Sequence, residues 1–165
     1  MILQYFKLKE NEYKKIADKL YIEILLKSKK IVKKDFFNET NFNSSFELIS
    51  IILILYLKVI KDYKSIKYNK INDELIKNFI QDLDSSLREN GIGDMSIGKY
   101  VKKYVKKFYY RIKIIDPILN NNEKSVFIKF LKSLKIIKDS HILEISEDLL
   151  DIYNKLKHNK AKILL

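Results

Sequence analysis

The chain has 165 residues, of which 47% are hydrophobic and 33% charged, a balance typical of one soluble globular domain that excludes a disordered chain. It contains no cysteine, which excludes disulfides, thiolate metal sites and cysteine nucleophiles. Its two histidines, His141 and His158, stand apart in the sequence, and we expect no histidine-based metal or catalytic cluster.

The charge of the chain is strongly positive. The formal net charge is +12, and of the 33 basic residues only Arg88 and Arg111 are arginine. Such an excess indicates an acidic partner, either nucleic acid or an anionic membrane surface. Abundant lysine, isoleucine and asparagine beside scarce alanine, glycine and proline is also typical of an AT-rich coding genome. Both explanations of the lysine excess stay open at this point.

Neither the start of the chain nor its apolar run predicts a membrane-targeting segment. The opening residues MILQYFKLKE lack the basic start and apolar core of a secretory signal. The most apolar run, Ile51 to Leu57, is far shorter than the roughly 20 residues that a membrane-spanning helix needs. We therefore expect a buried core helix there, and an intracellular protein whose contact with membranes is peripheral.

Helical periodicity recurs along the whole chain, without a convincing period-two strand. Ser44 followed by Glu47 predicts a capping box, with Ser44 as the N-cap of the second helix. Pro117 and the asparagines at 120–122 predict a break after the fourth helix. The predicted helices, in chain order, cover residues 10–29, 45–61, 72–90, 96–114, 122–138 and 145–158.

These elements predict an all-α fold, with about six helices packed as one bundle-like domain over residues 1–165. No linker rich in glycine, proline or serine divides the chain, and no internal repeat is visible. One domain is the prediction.

All three glycines lie in one short stretch, RENGIGDMSIGKYVKK at residues 88–103. Its segment GDMSIGK fits the first seven positions of a phosphate-binding P-loop, but Tyr100 replaces the magnesium-binding serine or threonine and a helix precedes the loop. The spacing also fails the dinucleotide-binding fingerprint. An EF-hand starting at Asp82 fails because Leu87 occupies the position that needs glycine. The stretch therefore predicts no nucleotide or calcium site.

A structural interpretation explains two of the three glycines. Gly91 follows a predicted helix and predicts a left-handed C-terminal cap of the Schellman type. Gly93 then permits a tight turn, with Asp94 or Ser96 capping the next helix. Gly98 falls inside that helix, where glycine costs roughly 1 kcal/mol relative to alanine. We expect Gly98 to permit a close approach, either by a neighbouring helix or by a partner chain.

The helix that begins at this turn carries a basic face. From Lys99 onward, lysines recur at i, i+3, i+4, i+7 and i+8, opposite the apolar residues, and Arg111 follows one turn later. No acidic residue interrupts the segment between Met95 and Ile115. The stripe predicts a site for an anionic partner, with a merely solvated face as the alternative. Asp84 and Arg88, spaced i and i+4, predict a surface ion pair.

The stretch DLDSSLRENGIGDMSIGKYVKKYVKKFYYR, residues 82–111, resembles the signature of the ubiquinol–cytochrome c chaperone family, D-x-D-x-x-L-R-E-x-G-x-G-D-x-x-x-G-K followed by a basic helix. A second segment, FELISIILILYLKVI at residues 46–60, is similar to an apolar block of that family. The resemblance is good over about 40–112, loose in the first helix and poor in the C-terminal third. The residues that we expect to bind the partner are Asp82, Asp84, Arg88, Gly91, Gly93, Asp94, Gly98, Lys99, Lys102, Lys103 and Lys106.

The resemblance implies an assembly factor and not an enzyme. Proteins of this family bind newly made cytochrome b of the bc1 complex and hold it until further subunits and haem are in place. The implied partners are cytochrome b and an anionic membrane surface, with a second small assembly factor and the ribosome left open. The resemblance implies no catalytic residue, metal, cofactor or small-molecule substrate. The bacterial form of this family implies a cytoplasmic protein that is peripheral on the inner face of the inner membrane. In a eukaryote, the resemblance implies the matrix side of the mitochondrial membrane.

A different class of function uses the same lysines. A helical module that binds nucleic acid or the ribosome would place Tyr100, Tyr104 and Tyr109 near the basic stripe, where tyrosines can stack on bases. Affinity for generic RNA with steep salt dependence would favour this alternative. Affinity for cytochrome b would favour the assembly chaperone.

Overall fold

The structure is a computed structural model that describes residues 2–62 and 65–159. Over these residues it is built of α-helices, and the only paired extended residues described are one isolated bridge between Phe37 and Ile137. The all-α prediction is confirmed. The helices are α1 (Ile2–Val32), α2 (Phe42–Lys61), α3 (Ile66–Glu89), α4 (Asp94–Asn121), α5 (Lys124–Ser133) and α6 (Ile142–His158), with a short 3-10 helix (Asp139–His141) before α6.

The chain divides into two compact units, so the prediction of a single domain stays a prediction. The first unit comprises the described residues of 1–22 and 60–110, which are the first part of α1, α3 and the first half of α4. The second comprises 23–59 and the described residues of 111–165, which include most of α2, the end of α4, α5 and α6.

In the first unit, hydrogen bonds and ring packing connect the helices. The Tyr21 hydroxyl of α1 donates to Asp82 of α3 at 2.7 Å, and the side-chain amide of Asn78 donates to Asp18 at 2.8 Å. The rings of Phe79 in α3 and Phe108 in α4 lie 4.8 Å apart. These contacts hold the two helices that flank the glycine turn in a defined arrangement.

In the second unit, α2 is the core helix. By length and composition α2 could cross a membrane, with a mean hydropathy of 1.7, but 78% of that window is buried within the protein. A core helix passes the same test, and burial identifies α2 as one, as the run Ile51 to Leu57 predicted. Two ion pairs join α2 to the end of α4: Glu47 with Arg111, and Lys58 with Asp116 at 2.8 Å.

Helix α2 starts earlier than predicted, and its cap differs. The backbone N–H of Asn41 donates to Ser44 Oγ at 3.0 Å, and the N–H of Ser44 donates to Asn41 Oδ1 at 3.0 Å. This reciprocal pair makes Asn41 the cap and places Ser44 inside the helix, so the prediction of Ser44 as N-cap is wrong. The side chain of Glu47 is buried and accepts two bonds from Arg111.

The predicted break falls at the asparagines of 120–122, as expected, but Pro117 does not contribute to it because Pro117 lies inside α4. Proline removes one backbone hydrogen bond, to the carbonyl of Lys113. Both residues are exposed, so water can satisfy that carbonyl. On the other face Ile115, Ile118 and Leu119 are buried and keep the helix in place. The helix ends at Asn121, followed by Asn122 with a left-handed φ of 55°.

Candidate functional site

The turn between α3 and α4 has the predicted helix cap. Gly91 has a φ of 88°, the left-handed conformation that glycine adopts without strain. The N–H of Ile92 donates to the Leu87 carbonyl at 3.1 Å, and the N–H of Gly91 donates to the Arg88 carbonyl at 2.9 Å. These two bonds form a Schellman motif, so the predicted role of Gly91 is confirmed.

Arg88 ties the two sides of this turn together. Its Nε donates to Asp84 Oδ2 at 2.6 Å, and its Nη1 pairs with Asp94 at the start of α4. Hydrogen bonding to Asp84 first, and to Asp94 second, raises the pKa of Arg88 above its ordinary value. The predicted ion pair of Asp84 and Arg88 is confirmed. Because all three side chains are exposed, this cluster orients the turn more than it stabilises the fold.

The cap of α4 is not the predicted one. Asp94 is the first helical residue, and the carbonyl of the preceding Gly93 accepts the N–H of Ile97 at 3.0 Å. Gly93 is therefore the N-cap, and the Ser96 hydroxyl donates to the same carbonyl at 3.2 Å. Asp94 pairs with Arg88, which makes its carboxylate part of the turn rather than a cap.

Gly98 lies open on the surface of α4. A Cβ built on Gly98 would meet no atom within 4 Å, so none of the described residues approaches it closely. Of the two explanations offered by the sequence, the neighbouring helix is therefore wrong for the part of the chain that the structure describes.

Around Gly98 the surface forms an open depression of about 960 Å³, which we call the basic groove. It is lined by Gly98, Lys99, Tyr100, Lys102, Lys103 and Lys106. The four lysines are exposed, and no acidic side chain within the described ranges pairs with any of them. Four uncompensated positive charges on one face attract an anionic partner and repel a basic one.

The basic stripe ends earlier than predicted. Arg111 was expected to continue it, but its side chain is only 15% exposed and binds Glu47 through two bonds, at 2.8 and 2.9 Å. Its guanidinium also lies 5.7 Å from the ring centroid of Phe130. Lys107 is half-buried, with its Nζ 5.9 Å from the ring centroid of Tyr104. The exposed part of the stripe that lines the groove is therefore Lys99 to Lys106.

Asp82 serves the packing of α1 against α3. It is half-buried and accepts the hydroxyl of Tyr21, and burial first and this bond second raise the pKa of Tyr21 above its ordinary value. The predicted partner-binding residues thus fall into three groups: Asp82 in helix packing, Asp84, Arg88, Gly91, Gly93 and Asp94 in the turn, and Gly98, Lys99, Lys102, Lys103 and Lys106 in the groove.

Two exposed residues of α4 were not singled out by sequence reasoning. Met95, at the start of the helix, is fully exposed, and Tyr110 is half-exposed after the groove, next to the half-exposed Tyr109 that the sequence had identified. The apolar stripe of α4 excludes Met95 and Tyr110, which is the signal that could have identified them. The pairing of Glu47 with Arg111 was also missed, although an acidic residue at the start of the most apolar segment was a signal for a buried ion pair.

The described residues contain no group of three or more histidine, cysteine, aspartate or glutamate side chains arranged to hold a metal ion. The groove offers ammonium groups and one phenol, which are suited to binding an anion. It contains no nucleophile paired with a base.

Comparison with known proteins identifies relatives of this chain. A family model described as ubiquinol–cytochrome C chaperone matches residues 34–134, which include the turn and the groove and extend further into the C-terminal third than the motifs alone indicated. The chain is similar to the crystal structure of the Cbp3 homolog from Brucella abortus, with a TM-score of 0.79 and 25% identity. That likeness covers 99% of this chain and 93% of the Brucella chain. No curated protein sequence matches significantly.

Proposed function

Because this chain belongs to the ubiquinol–cytochrome c chaperone family, a family of bc1 assembly chaperones, we propose that it binds newly made cytochrome b and supports assembly of the bc1 complex. The basic groove is the observation that carries the proposal. It lies inside the matched residues and presents its charge on one face of α4.

The groove combines charge with access to the backbone. Its lysines attract an acidic segment of the client, and the absence of a side chain at Gly98 lets that segment approach α4 closely. Exposed charges interact weakly one at a time, typically by less than about 1 kcal/mol. Four lysines on one face therefore suit a chaperone, which must release its client once assembly proceeds.

The Asp84–Arg88–Asp94 cluster supports this function by orienting the groove. It connects the end of α3 to the first turn of α4, directly before Gly98. We propose that the turn holds α4 in one direction while the client is bound. We also propose that the protein works in the bacterial cytoplasm, peripheral on the inner face of the inner membrane, where a membrane-inserted client exposes its loops.

The proposal is tested by reversing charge in the groove. In the variant Lys99→Glu/Lys102→Glu/Lys103→Glu, we expect a folded protein that no longer captures cytochrome b and no longer supports its accumulation in a deletion strain. The matched control is Lys14→Glu/Lys15→Glu/Lys19→Glu, which changes three exposed lysines in the interior of α1. Surface changes of this kind shift stability by less than about 0.5 kcal/mol each.

Cytochrome b is measured by its absorbance band and by site-specific cross-linking from groove positions. Wild-type cytochrome b levels with a folded groove variant would show that these lysines are only a solvated face. Equal losses in both triple variants would show that net charge matters and the groove does not. Capture of generic RNA in place of cytochrome b would favour the nucleic-acid-binding alternative.

A further inference from the structure

A second basic depression lies in the other unit of the chain and shares no residue with the basic groove. It has a volume of about 630 Å³ and is formed at the C-terminal end of α5 and the segment that follows it, and we call it the α5 depression. The residues that matter for its chemistry are Asn38, Lys129, Lys132, Lys135, Lys138 and Asp139.

The walls of the α5 depression are held by a network of backbone bonds. The N–H of Asn38 donates to the Ile136 carbonyl at 2.9 Å, and the N–H of Lys138 donates to the Phe36 carbonyl at 2.8 Å. The side-chain amide of Asn38 donates to the Lys135 carbonyl at 3.2 Å. The segment that carries Lys135 and Lys138 is thus fastened to the segment that follows α1. These bonds fix the backbone from which Lys135 and Lys138 project into the depression.

Lys135 occupies a conformation that is unfavourable for lysine. Its φ is 55°, at the position after the C-cap of α5 where helices usually carry glycine. A residue with a side chain in this left-handed region is strained, and glycine would relieve the strain. Such strain in a native turn is a reason to look for a function of the side chain, and here the side chain is an ammonium group beside two others.

The charges of the α5 depression leave a small positive surplus. Lys129, Lys132 and Lys135 have no acidic partner among the described residues, whereas Lys138 pairs with Asp35 at 2.8 Å. This bond is the first cause that lowers the pKa of Asp35, which is therefore ionised at neutral pH. Four ammonium groups against the carboxylates of Asp35 and Asp139 leave two positive charges. The C-terminal end of α5 carries about half a negative charge and reduces this surplus to about one and a half.

We propose that the α5 depression binds one phosphate group, either as a free phosphate monoester or as the headgroup of an acidic phospholipid. A phosphate monoester carries a charge of about −1.5 to −2 near neutral pH, which matches the surplus. A nucleic acid chain is a poorer fit because the depression offers charge for one phosphate and no aromatic ring among its lining residues for base stacking. This inference is independent of the client-binding proposal, because it uses none of the groove residues.

The first test titrates inorganic phosphate into the full-length protein and follows backbone amide signals by NMR. We expect saturable one-to-one binding, with a Kd on the order of 1 mM and shifts centred on residues 133–139. Lys135→Gly keeps the backbone conformation and removes one ammonium group, so it should weaken binding about threefold to tenfold while the melting temperature stays equal or rises. Lys129→Gln removes one ammonium group from a position within α5, without a change at a left-handed residue, and should weaken phosphate binding by a similar factor.

The matched control for the glycine is Asn122→Gly, which introduces glycine at another left-handed residue with a φ of 55°. It should leave phosphate binding unchanged. The lipid source is tested with vesicles containing phosphatidic acid, whose headgroup is a phosphate monoester. The background is the groove charge-reversal variant, so that the other basic surface cannot contribute. If the protein binds these vesicles and Lys135→Gly weakens that binding, the ligand is a lipid headgroup. If the protein responds to free phosphate alone, the ligand is a soluble phosphate.

Three results would overturn the inference. The first is the absence of saturable binding by phosphate and by vesicles. The second is binding that is the same in Lys135→Gly, Lys129→Gln and wild type, because the charge would then act from elsewhere. Binding of a single-stranded RNA oligonucleotide without any response to phosphate or vesicles would also contradict it.

Discussion

Gly91 and Gly98 are both exposed and both have open space where a Cβ would lie, yet they differ in backbone conformation. Gly91 closes the Schellman motif with a positive φ, whereas Gly98 lies within helix α4. Space alone therefore does not explain why glycine is needed at Gly91; the left-handed φ does. At Gly98 neither space nor conformation within the described chain requires glycine.

These two glycines should respond oppositely to alanine. Gly91→Ala should lower the free energy of unfolding by about 1 kcal/mol, because alanine is strained at positive φ. Gly98→Ala should raise it by up to about 1 kcal/mol, because alanine is the better helix former. Denaturant unfolding of both variants checks the two signs. If Gly98 admits the client, Gly98→Ala should also reduce cytochrome b accumulation, a loss that greater stability cannot cause.

A loss of stability in Gly98→Ala would show that a neighbour does occupy that position. An unchanged Gly91→Ala would contradict the role of the left-handed cap.

At the scale of elements, α4 serves two purposes along its length. Its first half presents the groove lysines, and its second half packs Ile115, Ile118 and Leu119 into the core. Arg111 stands between the two halves and binds Glu47 of α2, a carboxylate that is 2% exposed. A buried carboxylate without its partner is costly because it loses hydration and gains nothing in return. The pair therefore fixes how α2 and this part of α4 meet.

Arg111→Leu should destabilise the protein by about 3 kcal/mol or more, because it removes the positive charge that pairs with the buried carboxylate of Glu47. The double variant Glu47→Leu/Arg111→Leu should recover much of that loss, since no buried charge is left. Lys58→Met is the control on the same pair of helices; its partner Asp116 is 36% exposed, so we expect a loss of about 1 kcal/mol or less. Urea denaturation measures all three.

A loss in Arg111→Leu no larger than in Lys58→Met would mean that water reaches Glu47. A double variant as unstable as the single one would mean that shape, and not charge, governs the contact.

At the scale of the whole molecule, attraction to an anionic membrane can come from the net charge of +12 or from the basic groove alone, and an experiment can separate these two sources. Each lysine-to-glutamate change removes one positive charge and adds one negative charge, so both triple variants carry +6. Any attraction that depends on total charge must fall equally in the two variants. An attraction that depends on the groove must fall in one of them only.

We expect wild-type protein to bind anionic vesicles weakly at low salt, and binding should fade as salt rises because exposed charges are screened. The groove variant should lose most of this binding, at roughly 1 kcal/mol for each lysine near the surface, while the α1 control keeps most of it. Co-sedimentation with vesicles over a salt series measures this. Equal binding to neutral vesicles, or equal losses in the two variants, would contradict a local electrostatic contact.

Local features of this protein follow from its sequence alone. Helical periodicity, the C-terminal cap at Gly91 and the pairing of Asp84 with Arg88 depend on residues a few positions apart, and such residues meet whenever the helix forms. The family motif also lies within one continuous stretch and could be read directly. Helix ends were harder to predict, as Asn41 shows, because several polar residues near a helix start can serve as its cap.

Tertiary structure decided what depends on residues far apart in the chain. The sequence placed Arg111 on the basic stripe, but the distant Glu47 draws it into the core, since a buried carboxylate requires a partner. Pro117 stays helical because the apolar face of α4 is buried by packing that local propensity does not describe. The open side of Gly98 and the lysines gathered around Lys135 likewise depend on where other segments pass. Periodicity specifies the face of a helix, whereas only packing specifies what covers it.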